Sequence, residues 1–114
     1  MNDSGLDAMK LQTVIERIVE VAHPEEIILF GSAVRGETRI NSDIDLLVVM
    51  PEPVHRGRLT AEIYMNLIGV GQAVDVIVAT RQDIAEYQQS HSVVIASALR
   101  EGKSVYERPI AETG

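Results

Sequence analysis

The stretch from Ile27 to Met50 constrains this chain more than any other part of it. Four consecutive apolar residues, Ile27 to Phe30, stop at Gly31-Ser32. A short polar segment follows, and then Ser42-Asp43-Ile44-Asp45 leads into a second apolar run, Leu46 to Met50. Short apolar runs bounded by turn residues read as buried strands. Two strands therefore frame a Gly-Ser turn and a pair of carboxylates. Alternate side chains of a strand share a face, so Asp43 and Asp45 should project the same way, close together.

The flanking sequence supplies helices and a third strand. Leu11, Val14, Ile15, Ile18, Val19 and Ala22 recur at helical spacing and predict a first helix, capped by Ser4 or Asp7, that runs to about Val21. His23-Pro24 ends it, because the residue before a proline avoids the α region. His23 reads as a surface or cap residue. Pro51-Glu52-Pro53 closes the second strand. Leu59, Ile63 and Leu67 at four-residue steps predict a helix from Arg58 to Ile68, ended by Gly69 and Gly71. His55, Arg56 and Arg58 at its start read as a solvated helix end, or else as a nucleotide or partner contact. Ala73 to Val78 is a third apolar run, interrupted only by Asp75. Thr80-x-x-Asp83 resembles a capping box and predicts a helix from Gln82 to about Gln89. Ser90 or Ser92 can cap another helix carrying Val94, Ile95, Ala98 and Leu99, with Glu101-Gly102 as its stop. Val105-Tyr106-Glu107 reads as a short edge strand. Strands alternating with helices over 114 residues make an α/β chain with one domain, 1–114, its core at about 7–107 and a tail at 108–114.

The two halves of the framed stretch suit complementary charges. Two neighbouring carboxylates repel unless a cation sits between them, and hard oxygen ligands suit Mg²⁺ or Mn²⁺. Gly31-Ser32 ends a strand and should open a helical turn at Ala33 to Arg35. Free backbone N–H groups at such a start favour an anion, and glycine lets a phosphate come close. Ser32 adds a hydroxyl, and Arg35 or Arg39 could add positive charge. A phosphate cradle beside a carboxylate pair is the equipment of phosphoryl or nucleotidyl transfer. Gly31 to Thr38 also approaches the Gly-x-x-x-x-Gly-Lys-Ser/Thr phosphate loop, but Glu37 stands where the lysine is needed. Asp43-x-Asp45 could open a calcium loop, but Leu47 and Val54 fall where oxygen ligands are required. Either half alone is a common turn or cap; the joined pattern is not.

Gly31-Ser32, Arg35-Gly36 and Ser42-Asp43-x-Asp45-Leu46 resemble the signature of the nucleotidyltransferase superfamily that includes DNA polymerase beta. The similarity is greatest to its smallest branch, the minimal nucleotidyltransferase (MNT) domains, which resemble the antitoxin halves of HEPN/MNT toxin–antitoxin pairs. The superfamily pattern is Gly-Ser, about ten residues, Asp-x-Asp, then a third carboxylate on a later strand; here ten residues, Ala33 to Ser42, separate Ser32 from Asp43. The resemblance covers Ile27 to Glu107, including Ala98-Leu99-Arg100-Glu101-Gly102-Lys103 with Val105-Tyr106.

This resemblance implies a small mixed β-sheet flanked by helices. It also implies that Asp43, Asp45 and Asp75 are catalytic and bind two Mg²⁺ ions, with Mn²⁺ as a substitute, and that Gly31, Ser32, Arg35 and Ser42 bind the nucleotide, ATP. A lone Asp in a buried strand is costly unless paired or metal-bound, which agrees with such a role for Asp75. The larger relatives carry an added domain that grips the acceptor, for which this chain leaves no room. The acceptor should then be held by a partner or a second copy. In HEPN/MNT systems the partner is the HEPN toxin, and the resemblance implies transfer of AMP to a toxin tyrosine. A non-catalytic module that neutralises its partner by contact, and an aminoglycoside-type small-molecule nucleotidyltransferase, are the alternatives.

Composition narrows the setting. A net charge of −7 argues against a broad contact with the phosphate backbone of a nucleic acid. With no cysteine, neither a disulfide framework nor a thiolate zinc site is available. No apolar run approaches the roughly 20 residues that span a bilayer, and Met1 to Asp7 lacks the features of a secretory signal. A cytoplasmic protein is expected.

Overall fold

The computed structural model describes residues 8–31, 43–86 and 93–109. The expected caps at Ser4, Asp7, Ser90 and Ser92, the turn at Ala33 to Arg35 and the end of the tail lie outside them. The apolar stripe of the N-terminal segment becomes α1, Ala8–Ala22, with Val14, Ile15, Ile18 and Ala22 buried. His23 ends the helix at φ 49° and is exposed. It avoids the right-handed region, as a residue before proline should, by entering the left-handed one. Four strands follow: β1 (Glu26–Phe30), β2 (Ile44–Met50), β3 (Val74–Thr80) and β4 (Lys103–Glu107), with α2 (Arg56–Asn66) between β2 and β3. Then α3 (Arg81–Ala85) and α4 (Val93–Glu101) precede β4.

The sheet order is β3-β2-β1-β4. β1 runs antiparallel to both β2 and β4, whereas β2 and β3 are parallel, so the sheet is mixed. β2 and β3 are joined through α2, as a parallel crossover requires. Ile27, Leu29, Ile44, Leu46, Val48, Met50, Val76 and Val78 lie on one face and pack with Val14, Ile15 and Ile18 of α1 and Leu59 and Ile63 of α2. The opposite face carries Ile28, Leu47, Val49 and Ala79 against Ala98 of α4. Among the described residues, this second layer is the smaller of the two.

One strand differs from expectation. Ala73 to Val78 reads as buried, yet β3 is a sheet edge, and Asp75 and Ile77 are exposed on it, Ile77 to 37 %. Strand order depends on non-local pairing, which an apolar run does not encode. The desolvation argument for Asp75 therefore does not apply.

The helices are tied by local polar contacts. Arg17 of α1 donates to the carbonyls of Asn66 and Ile68 at 3.2 Å, and Asn66 donates back to Arg17 O at 2.8 Å. A guanidinium at the carbonyl end of α2 satisfies groups the helix leaves unpaired. The Thr80-Asp83 capping box is present, with Asp83 N donating to Thr80 Oγ1 at 3.0 Å and Thr80 N to Asp83 Oδ2 at 2.9 Å. Arg56 closes on the same carboxylate with both Nε (3.0 Å) and Nη2 (2.6 Å), and Glu52 accepts from Gln82 N. His55 caps α2 by accepting from Arg58 N at 3.1 Å. Two of the three residues in the basic cluster thus hold helix ends together. Gly102 follows α4 where a side chain cannot fit: an added Cβ would overlap Ala98 O and Ile28 Cγ2.

Candidate functional site

Asp45 and Asp75 lie on the face of the sheet opposite α1 and α2. β2 begins at Ile44, so Asp45 is its second residue and Asp43 immediately precedes it. Ile44 and Leu46 point into the core beneath α1 and α2, which turns Asp45 to the opposite face. There it is half-buried, while Asp43 is exposed. The parallel register pairs Asp45 with Asp75 across the β2–β3 ladder. Register partners share a face, so the two carboxylates leave the sheet side by side although 30 positions separate them in sequence.

Gly31 closes the other side. On β1, Phe30 is the register partner of Asp45, so the turn after Phe30 lies against that carboxylate. Gly31 holds φ at 83°, and a Cβ built on it would overlap Asp45 Oδ2 and lie 3.2 Å from Asp45 Cγ. Two separate constraints, a left-handed backbone and a side-chain-free approach, demand glycine here. Of the residues expected at this site, the structure brings Gly31, Asp45 and Asp75 onto adjacent strand ends, with Asp43 at the entry to β2. Ser32, Arg35, Arg39 and Ser42 lie outside the described residues.

The donor set suits a hard divalent cation: carboxylate oxygens, backbone held open by a glycine, and two acids in register. The fit rests on backbone placement. Among the described residues, no three His, Cys, Asp or Glu side chains converge closely enough to hold a metal. A surface hollow lined by Ile15, Glu16, Val19 and Tyr106 and a groove lined by Val21, Arg58, Ala61 and Met65 both involve α1 or α2, on the side away from the acids. Neither belongs to the acid site.

Tyr64 of α2 also reaches this region, and no local sequence signal points to it. Its hydroxyl accepts from Val76 N at 2.8 Å, one residue after Asp75.

The model of the nucleotidyltransferase domain family matches residues 9–105. No curated protein matches the sequence. Among solved structures, one from Sulfolobus solfataricus, provisionally described as a nucleotidyltransferase, superposes with a TM-score of 0.63 at 18 % identity, covering 95 % of this chain and 91 % of its own. A toxin–antitoxin structure with AMP-PNP gives 0.54 at 24 % identity, over 84 % of this chain and 73 % of that one. The MntA-HepT toxin–antitoxin gives 0.51 at 20 %, over 89 % and 73 %. At these identities the likeness is one of fold, including the mixed sheet and its flanking helices.

Proposed function

Because the chain belongs to the nucleotidyltransferase domain family, we propose that it transfers a nucleoside monophosphate, AMP from ATP, to a hydroxyl on a partner protein, as the antitoxin of a HEPN/MNT pair. The observation that carries this reading is the in-register pair Asp45 and Asp75 with Gly31 pressed against the Asp45 carboxylate. The fold it shares with the MntA-HepT structure supports the toxin–antitoxin setting.

Each residue has a task in this reaction. Gly31 and Ser32 cradle the triphosphate through backbone N–H groups and a hydroxyl, with Ser42 and Arg35 completing its contacts. Asp43, Asp45 and Asp75 would hold Mg²⁺, two ions that Mn²⁺ can replace, which supply charge neutralisation to the phosphates and a more acidic acceptor hydroxyl. The acceptor oxygen bonds to the α-phosphorus as the bond to pyrophosphate breaks. Asp75, exposed at the sheet edge, faces the side from which the acceptor arrives and takes up the hydroxyl proton. The partner supplies the grip on the acceptor. Among the described residues, no helix is long and apolar enough to cross a membrane. The reading places the reaction in the cytoplasm, where ATP and Mg²⁺ are held.

The test uses the purified chain, the protein encoded beside it, Mg²⁺ and ATP labelled on the α-phosphate. Label should appear on the partner and vanish with Asp43→Asn/Asp45→Asn. No label, with a tight complex that survives the double substitution, refutes catalysis and leaves a contact-only module. Label on an added aminoglycoside but not on the partner keeps nucleotidyl transfer and overturns the protein acceptor.

A further inference from the structure

We propose that Tyr64 is a positioning residue for the acid site: by accepting the Val76 N–H, its hydroxyl sets where Asp75 stands opposite Asp45. This rests on the nucleotidyl-transfer reading above. The geometry comes from the free side of the sheet. β3 pairs with β2 along one edge only. The backbone N–H and C=O of a strand residue point to one side, and those of its neighbours to the other. Ala73 O accepts from Ile44 N at 2.9 Å, so odd-numbered residues of β3 turn their backbone toward β2. Even-numbered residues turn theirs outward. Thr80 N finds Asp83 Oδ2 there at 2.9 Å, and Val76 N finds Tyr64 Oη at 2.8 Å.

Asp75 is therefore bracketed. Two residues before it, the Ala73–Ile44 bond holds the chain from inside the sheet. One residue after it, Tyr64 holds the chain from outside. The helix that carries Tyr64 is itself anchored, because Leu59 and Ile63 are buried in the core and Leu67 follows them. Packing alone does not account for this tyrosine, which is 40 % exposed. The hydroxyl is the part that meets the strand, in a part-buried bond. Without it, the segment around Asp75 is fixed from one side, and the carboxylate samples positions out of line with Asp45.

The substitution Tyr64→Phe removes the hydroxyl and keeps the ring. The assay is Mn²⁺ titration of the isotopically labelled chain, read by paramagnetic broadening of backbone amide signals, with hydrogen exchange at Val76 and thermal melting beside it. In the native chain, Mn²⁺ should broaden the amides of Gly31, Asp45 and Asp75 together. In Tyr64→Phe, broadening at Asp45 should persist, broadening at Asp75 should weaken, Val76 should exchange faster, and Mn²⁺ affinity should fall roughly fivefold, the scale of one neutral hydrogen bond. A variant that melts lower but keeps the native ratio of broadening at Asp75 and Asp45 overturns the proposal, since a purely structural bond predicts that result. Absence of broadening at all three residues in the native chain refutes the metal reading itself, and the positioning role with it.

Discussion

Gly31→Ala is the substitution whose outcome the structure determines most fully. The backbone sits at φ 83°. Alanine there costs about 1–2 kcal/mol from its own Cβ against the backbone. The new Cβ also overlaps Asp45 Oδ2, with Asp45 Cγ 3.2 Å away. A carboxylate on a rotatable side chain can yield, so the overlap displaces the acid rather than unfolding the strand. The backbone term lowers the expected melting temperature by roughly 4–8 °C, and displacing the Asp45 carboxylate adds a smaller loss. The site suffers more, because moving a catalytic group by about 1 Å costs on the order of a hundredfold in rate. Differential scanning calorimetry measures the first quantity and transfer of α-phosphate label the second. The pair Gly31→Ala and Asp45→Ala separates the causes. Truncating Asp45 removes the overlap but leaves the backbone cost, so the double variant should be more stable than additivity predicts by about 0.5–2 kcal/mol. Strict additivity, or a Gly31→Ala protein with native transfer rates, refutes the close approach of Gly31 and Asp45.

Three further outcomes can be stated. Ile63→Ala empties a fully buried position between α2 and the sheet and should cost about 2–5 kcal/mol in a urea titration, with unchanged m-value. Gly102→Ala drives a Cβ into Ala98 O and Ile28 Cγ2; a carbonyl cannot swing aside, and a loss of about 1–3 kcal/mol is expected in the same assay. The third concerns acid. Burial pushes the Asp83 carboxyl up, but the Arg56 guanidinium and the Thr80 N–H outweigh it and hold the group below the usual range, while hydrogen bonds from Thr80 and Gln82 hold Glu52 below it too. With folded values lowered, the unfolded chain takes up protons first. The contribution of both groups is present above the ordinary carboxylate value of about 4 and is lost as pH falls through the folded values. Urea midpoints should drop on that acid limb, and less steeply in Asp83→Asn; an unchanged slope contradicts the role given to this pair.

Local patterns were the legible part of this molecule. The capping box needs only Thr80 and Asp83 three residues apart, and it formed as read. The helical stripe of α1 and the four-residue steps of α2 placed Ile18, Leu59 and Ile63 in the core. A strand was legible after Asp43, and β2 does begin at Ile44 with Asp45 as its second residue. Long-range placement was not legible. An apolar run looks the same at the centre of a sheet and at its edge, so the exposure of Asp75 has no signature in the sequence. Arg56 finds Asp83 across 27 positions, and Tyr64 finds Val76 across 12, with no pattern in either segment to announce it. Asp75 stands out as an interruption in an apolar run, but its place opposite Asp45 depends on the pairing of two strands far apart in sequence.

The core face of β3 is a row of valines: Val74, Val76 and Val78. Slid two residues along β2, this strand would still set valine where valine had been at two of its three places beneath α1 and α2. Asp75 would meanwhile travel about 6.6 Å from its neighbour. The layer beneath α1 and α2 is thus nearly blind to the one error that matters for the acids, and it is the other face that reads it, where the slip would exchange Ala79, buried with Ala98, for Ile77 or Arg81. Side-chain contacts beyond the end of the strand detect it as well, among them Gln82 N on Glu52. Variants lacking these stops would form a class of their own: soluble, cooperative, passing every screen for folding, and inert.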